Sequence, residues 1–183
     1  TLKTVSFAPG SAVLSIGAQA FSQTGLQSIT IPASVTALGS EAFHSCAALK
    51  TVVFAPNSNL VQLGNNSFIY SGIESISIPD NVAYINTGAF QSCTHLKTVS
   101  FAPTSNLLAI DTNAFDGCTA LTSVQIPSTV TLIGTMAFYA CSALSSVVFN
   151  SGSDLLTVGK SAFAHSGLVG VLSLPHTVTT IDQ

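Results

Sequence analysis

The 183-residue sequence has no tryptophan, no arginine and one methionine, and charged residues make up only 6% of it. An ordinary soluble domain carries roughly 25%. Four lysines stand against seven carboxylates, for a net charge of −3. Such a chain lacks the basic surface that gathers phosphates, which argues against a nucleic-acid role. Long apolar runs are missing too. Hydrophobic residues make up 47% of the chain, yet runs such as Val52–Ala55 are short and the longest, Met136–Cys141, holds six residues. A membrane-spanning helix needs about 18–20, so no transmembrane segment is expected. Nor does a charged-then-apolar leader open the sequence, which begins inside a repeated phrase, "TLKTV". Apolar residues spread at regular intervals imply a long, thin core.

What the chain does have is repetition. "LKTVSFAP" at 2–9 returns at 96–103, and "LKTVVFAP" at 49–56 differs from it by one residue. Units begin at Leu2, Leu26, Leu49, Ile73, Leu96, Leu121 and Leu144, with a partial eighth at Leu168. Their lengths are 24, 23, 24, 23, 25, 23 and 24 residues. A fixed period in the twenties signals a solenoid, in which each unit buries its apolar face against its neighbours. Residues 1–183 therefore read as a single array, a fragment of a longer one. All seven prolines follow the first apolar run of a unit, and all eleven phenylalanines fall in two columns. One column is Phe21, Phe43, Phe68, Phe90, Phe115, Phe138 and Phe163. The other, Phe7, Phe54, Phe101 and Phe149, ends the opening segment of odd units, where even units place Ile31, Ile78, Ile126 and Leu174. The period of the sequence is thus a pair of units.

Each opening segment reads as a half-buried strand, with Leu2, Val5 and Phe7 inward and Lys3, Thr4 and Ser6 outward. Proline then ends the ladder, having no N–H to donate. A loop returns residues such as Val35 and Leu38 to the core. The column Gly17, Gly39, Gly64, Asn86, Asp111, Gly134, Gly159 and Asp182 holds residues that tolerate positive φ, which predicts a left-handed backbone there. The following "AQAF", "SEAF" and "GTMAF" predict one or two helical turns, closed by Gly25, Gly72 and Gly167 in three units and by cysteine in four.

The joint pattern L-x-x-V/I-x-F/I-(A)-P-x…L-x-x-I-G-x-x-A-F-x-x-C resembles the BspA-like leucine-rich repeat family over essentially the whole chain. The resemblance implies an α/β solenoid, right-handed and curved, with a parallel sheet on its concave face and short helical turns and loops on the convex side. The chain lacks the L-x-x-N-x-L asparagine ladder of common leucine-rich repeats. Membership implies a secreted or cell-surface protein used in adhesion or protein binding, with no catalytic motif and no cofactor to carry over.

Four cysteines, Cys46, Cys93, Cys118 and Cys141, share one column. Stacked strands lie about 4.8 Å apart, within a disulfide's Cα separation, so Cys118–Cys141 or Cys93–Cys118 could be bridged. The commoner reading of cysteine at a buried turn is a small apolar filler. A line of equivalent positions does not converge on a tetrahedral zinc. The four histidines and seven acids are scattered, with no triad spacing, carboxylate pair or calcium loop among them. No enzyme is expected. Asn65-Asn66-Ser67 is the one glycosylation sequon, marking Asn65.

The outward strand positions carry the functional expectation. One column is all hydroxyl: Thr4, Ser28, Thr51, Ser75, Thr98, Ser123 and Ser146. Beside it run Lys3, Gln27, Lys50, Glu74 and Lys97, and on the other flank Ser6, Thr30, Ser77 and Ser100. Serine and threonine suit exposed strands for structural reasons alone. They also make a flat, weakly charged face for a protein or glycan, with low affinity per unit area offset by many copies. A second expectation is a structural stalk or filament built by end-to-end stacking of copies, since no polar cap is evident at either end.

Overall fold

The computed structural model describes residues 2–182, which form a parallel β-solenoid of about seven coils. Its strands are β1 (Ser15–Ile16), β2 (Ser28–Ile31), β3 (Ala37–Leu38), β4 (Thr51–Phe54), β5 (Gln62–Leu63), β6 (Ser75–Ile78) and β7 (Tyr84–Ile85). There follow β8 (Thr98–Phe101), β9 (Ala109–Ile110), β10 (Ser123–Ile126), β11 (Leu132–Ile133), β12 (Ser146–Phe149), β13 (Thr157–Val158) and β14 (Thr180–Ile181). The six four-residue strands make one parallel sheet, ordered β12-β10-β8-β6-β4-β2. The two-residue strands make a second, ordered β1-β3-β5-β7-β9-β11-β13-β14. Alternation sets the faces of the long strands: Ile29, Ile31 and Val52 are buried, while Ser28, Thr30 and Thr51 are exposed.

The opening segments of the first and eighth units depart from the expectation. Residues 2–7 and 168–174 are not strands, so Lys3, Thr4 and Ser6 flank the sheet without joining it. Val169 and Val171 are about nine-tenths exposed, at 89% and 91%.

No helix occurs among the described residues, which corrects the α/β expectation. The segments from Ala18, Ser40 and their equivalents are stacked turns, and the reason lies in where their N–H groups go. Glu41, Phe43 and Ser45 donate to Asn65, Ser67 and Ile69 of the next coil at 2.9, 2.7 and 2.8 Å. The intervening Ala42, His44 and Cys46 close local turns onto the carbonyls three residues back. With alternate donors committed across coils, the i→i−4 bonding of an α-helix cannot form. This third ladder repeats in every coil through Met136, Phe138 and Ala140. It requires left-handed backbone at two residues per turn, among them Glu41, Ser45, Tyr70, Met136 and Ala140, with φ between 52° and 58°. Each costs about 1–2 kcal/mol in an L-residue, offset by cross-coil hydrogen bonds and the core beneath.

The glycine column is not left-handed, a second correction: Gly39, Gly64, Gly134 and Gly159 have ordinary φ, and Asn86 and Asp111 also avoid the left-handed region. Glycine serves close approach instead. A Cβ on Gly39 would lie 2.5 Å from the Ala18 nitrogen, and one on Gly134 would lie 2.6 Å from the Asp111 carbonyl carbon.

The core is a single file. Phe21, Phe43, Phe68, Phe90, Phe115, Phe138 and Phe163 stack ring on ring, with successive centroids 5.1–5.4 Å apart and planes within 2–21° of parallel. The five inner rings are wholly buried. Rows of Leu (26, 49, 96, 121, 144) and Ile73 run beside them. Within each coil the rows cover one another, and each coil packs only against the coils above and below it.

Candidate functional site

The outward columns sit where alternation puts them. Ser28, Thr51, Ser75, Thr98, Ser123 and Ser146 are all exposed, and register pairs them in series: Ser28 with Thr51, Thr51 with Ser75, Ser75 with Thr98, Thr98 with Ser123, and Ser123 with Ser146. Thr30, Ser77 and Ser100 form the exposed row beside them, with Val53 and Val148 as its apolar members. Gln27, Lys50, Glu74 and Lys97 are joined in order by backbone N–H···O=C bonds. Lys50 pairs with Glu74 at 3.2 Å, and the bond to its ammonium holds the exposed Glu74 carboxyl below its usual range. Exposed pairs of this kind add little stability. They leave the face nearly neutral.

Sequence reasoning missed the second feature of this face, although the odd/even alternation signalled it. The strands are joined in twos. Pairs β2/β4, β6/β8 and β10/β12 match over four residues each, whereas β4/β6 and β8/β10 match only at Thr51–Ser75 and Thr98–Ser123. Proline position explains the difference. In an odd unit the extra residue after the strand supplies an N–H: Ala55 donates to Ile31 at 2.9 Å and Asn150 to Ile126 at 3.0 Å. In even units that place is taken by Pro79 and Pro127, which have none. The Phe54 and Phe101 carbonyls therefore receive no backbone bond from the next coil. Side chains staple the loops instead: Ser34 Oγ donates to Val13 at 2.7 Å, Asn81 Nδ2 to Ser58 at 2.9 Å and Thr129 Oγ1 to Leu107 at 2.7 Å.

Where the ladder stops, a cleft opens. One of about 430 Å³ lies between β4 and β6, lined by Phe54, Asn57, Ser75, Ser77 and Pro79. Its counterpart of about 440 Å³ between β8 and β10 is lined by Ser100, Phe101, Ser123, Gln125, Pro127 and Asn150. Equivalent hollows occur beside Phe7 and Pro32 and beside Phe149 and Pro175. All four odd-unit phenylalanines are only half-buried, while Ile31, Ile78 and Ile126 at the even positions are 0–1% exposed.

The cysteine column is structural. All four thiols are free and buried, and the bridge open to Cys118 and Cys141 is not formed. The S–H groups of Cys46, Cys93, Cys118 and Cys141 turn to the Phe21, Phe68, Phe90 and Phe115 carbonyls at 2.9–3.1 Å. Burial pushes the Cys93 thiol up to about 11 and Cys141 to about 12, and lifts Cys118 well above the usual range. Asn65 is exposed, while the hydroxyl of its sequon partner Ser67 is buried without a hydrogen-bond partner. Among the described residues no His, Cys, Asp and Glu cluster could hold a metal, and no helix is long and apolar enough to cross a membrane.

A coil of 23–25 residues, a parallel sheet of hydroxyl rows and a single-file aromatic core define a repeat scaffold that presents a surface. The BspA-type leucine-rich repeat profile matches in six copies over residues 14–109 and 61–183, and the chain belongs to that family. Three solved structures are similar. The pneumococcal vaccine antigen PcpA is 28% identical with a TM-score of 0.68, over 78% of this chain and 37% of its own. A leucine-rich repeat protein from Bacteroides ovatus is 24% identical with a TM-score of 0.69, over 93% of this chain and 49% of its own. A leucine-rich cell surface protein from Faecalibacterium prausnitzii is 25% identical with a TM-score of 0.57, over 93% of this chain and 61% of its own. The chain thus spans less than two thirds of the length of each. No curated protein matches the sequence.

Proposed function

We propose that this chain is a recognition segment of a secreted or cell-surface protein, binding a protein or glycan ligand through the outer face of the six-stranded sheet. The observation that carries this reading is the registered row Ser28–Thr51–Ser75–Thr98–Ser123–Ser146, exposed along its length and nearly free of charge. The family and its fold are generally non-enzymatic, which agrees with a surface of this kind. Surface placement draws support from similar proteins described as a vaccine antigen and a cell surface protein. Each contact is weak, and affinity comes from repetition along the face. The triple variant Thr51→Lys, Ser75→Lys, Thr98→Lys tests it. The reading expects an unchanged circular dichroism spectrum and loss of binding to ligand-bearing cells or arrays. Unchanged binding would assign the adhesive surface elsewhere.

A further inference from the structure

We infer that the clefts between strand pairs are subsites for an uncharged linear polysaccharide that runs along the solenoid, one subsite for every two coils. This rests on the recognition reading above and names the ligand class for that face. The clefts recur at Phe7, Phe54, Phe101 and Phe149, so like groups face solvent at intervals of two strand spacings, about 9.6 Å. A ligand that uses them in series must itself repeat at that distance.

The chemistry of the lining selects among repeating ligands. The cleft beside Phe101 is lined by no charged residue, and that beside Phe54 by Asp80 alone. Acidic glycans and nucleic acids would find no cation there. Each cleft offers part of a phenylalanine ring, on which the C–H face of a sugar can pack. It also offers hydroxyls and amides, Ser77 in one and Ser100, Gln125 and Asn150 in the other. The Phe54 and Phe101 carbonyls stand without a backbone donor from the next coil because of Pro79 and Pro127, and a ligand that fills the cleft must supply one.

An extended peptide places same-side groups every ~6.8 Å, which does not match. A polyproline II helix repeats every ~9.3 Å and does match, but a proline-rich chain brings few donors to those carbonyls. Sugar hydroxyls donate and accept at every residue. A disaccharide unit of an extended chain has the required length.

The test is calorimetric titration of the intact chain with neutral cello-, laminari- and manno-oligosaccharides of two to eight sugars. Heparin and a proline-rich peptide serve as competing probes. The double variant Phe54→Ile, Phe101→Ile removes the rings while placing at each position the residue that even units already carry at Ile78 and Ile126. Ser77→Arg fills the cleft between β4 and β6 from its exposed side and provides a second variant. The inference expects one neutral series to bind roughly tenfold more tightly as chain length rises from two to six sugars. Either variant should lose most of that gain. Binding that ignores chain length, binding untouched by both variants, or binding of heparin or the proline-rich peptide alone overturns it. If a protein ligand is lost in the threonine-face triple variant but kept in both cleft variants, and no neutral glycan binds, the glycan assignment fails while the recognition reading stands. If nothing binds the face at all, both fail.

Discussion

Replacing Phe90 by alanine probes the single-file core directly. The ring is wholly buried and lies between Phe68 at 5.3 Å and Phe115 at 5.2 Å. Deleting a buried phenylalanine costs about 3–5 kcal/mol in lost transfer energy and residual cavity. Two stacked neighbours add about 0.5–1.5 kcal/mol each. The loss is then roughly 4–8 kcal/mol, against a total stability of about 5–15 for a folded domain. Phe163 belongs to the same column but is half-buried and stacks on one side only, on Phe138 at 5.4 Å. Its removal should cost about 2–3 kcal/mol. Urea denaturation followed by circular dichroism and intrinsic tyrosine fluorescence measures both. Because each coil touches only its neighbours, Phe90→Ala should also broaden the transition or split it into two, the halves of the array melting separately. If the two variants come within about 1 kcal/mol of each other with single sharp transitions, continuous stacking is not what holds the rod together.

Three other outcomes follow from the same geometry. Ser67 puts a hydroxyl with no partner into a column otherwise held by alanine, as at Ala42, Ala89 and Ala114; Ser67→Ala should raise stability by roughly 1 kcal/mol, and a loss in the same denaturation assay would refute an unsatisfied hydroxyl. Burial raises the Asp111 carboxyl above its usual value, so the folded state binds its proton more tightly than the unfolded chain. Its presence therefore lowers stability as pH rises through the unfolded and then the folded pKa, with the full penalty at neutral pH and none well below pH 4. Asp111→Asn, which copies Asn86, should raise the melting temperature at pH 7 and leave it unchanged at pH 3; equal shifts at both would contradict the assigned cause. Finally, with the thiols buried and the Cys93 and Cys141 pKa values raised to about 11 and about 12, iodoacetamide at pH 8 should label no cysteine in the folded chain and all four in urea. Rapid labelling of the native protein would show that the column opens.

How the fold could be read from the residues depends on the range of each interaction. The phenylalanine, leucine and hydroxyl columns were legible because a solenoid brings equivalent positions into contact, so spacing in the sequence becomes contact in space. Val35 and Leu38 returned to the core as their apolar spacing required. The turns after Gly39 were misread as helical because "SEAF" has good local helix formers. Their backbone donors are claimed by the next coil, which no local propensity reports. Gly39 itself looked like a left-handed residue, and the constraint on it is the backbone of Ala18, more than twenty residues away.

The sequence by itself determined the coil length, the inward and outward faces, the aromatic file and the two-unit rhythm, since all of these follow from which residue types recur and at what interval. Only the tertiary structure decided what the rhythm does. A proline lacks its N–H in isolation, but the bond it fails to make is to a phenylalanine carbonyl of the preceding coil. The clefts therefore exist only once register has set Pro79 beside Phe54 and Pro127 beside Phe101.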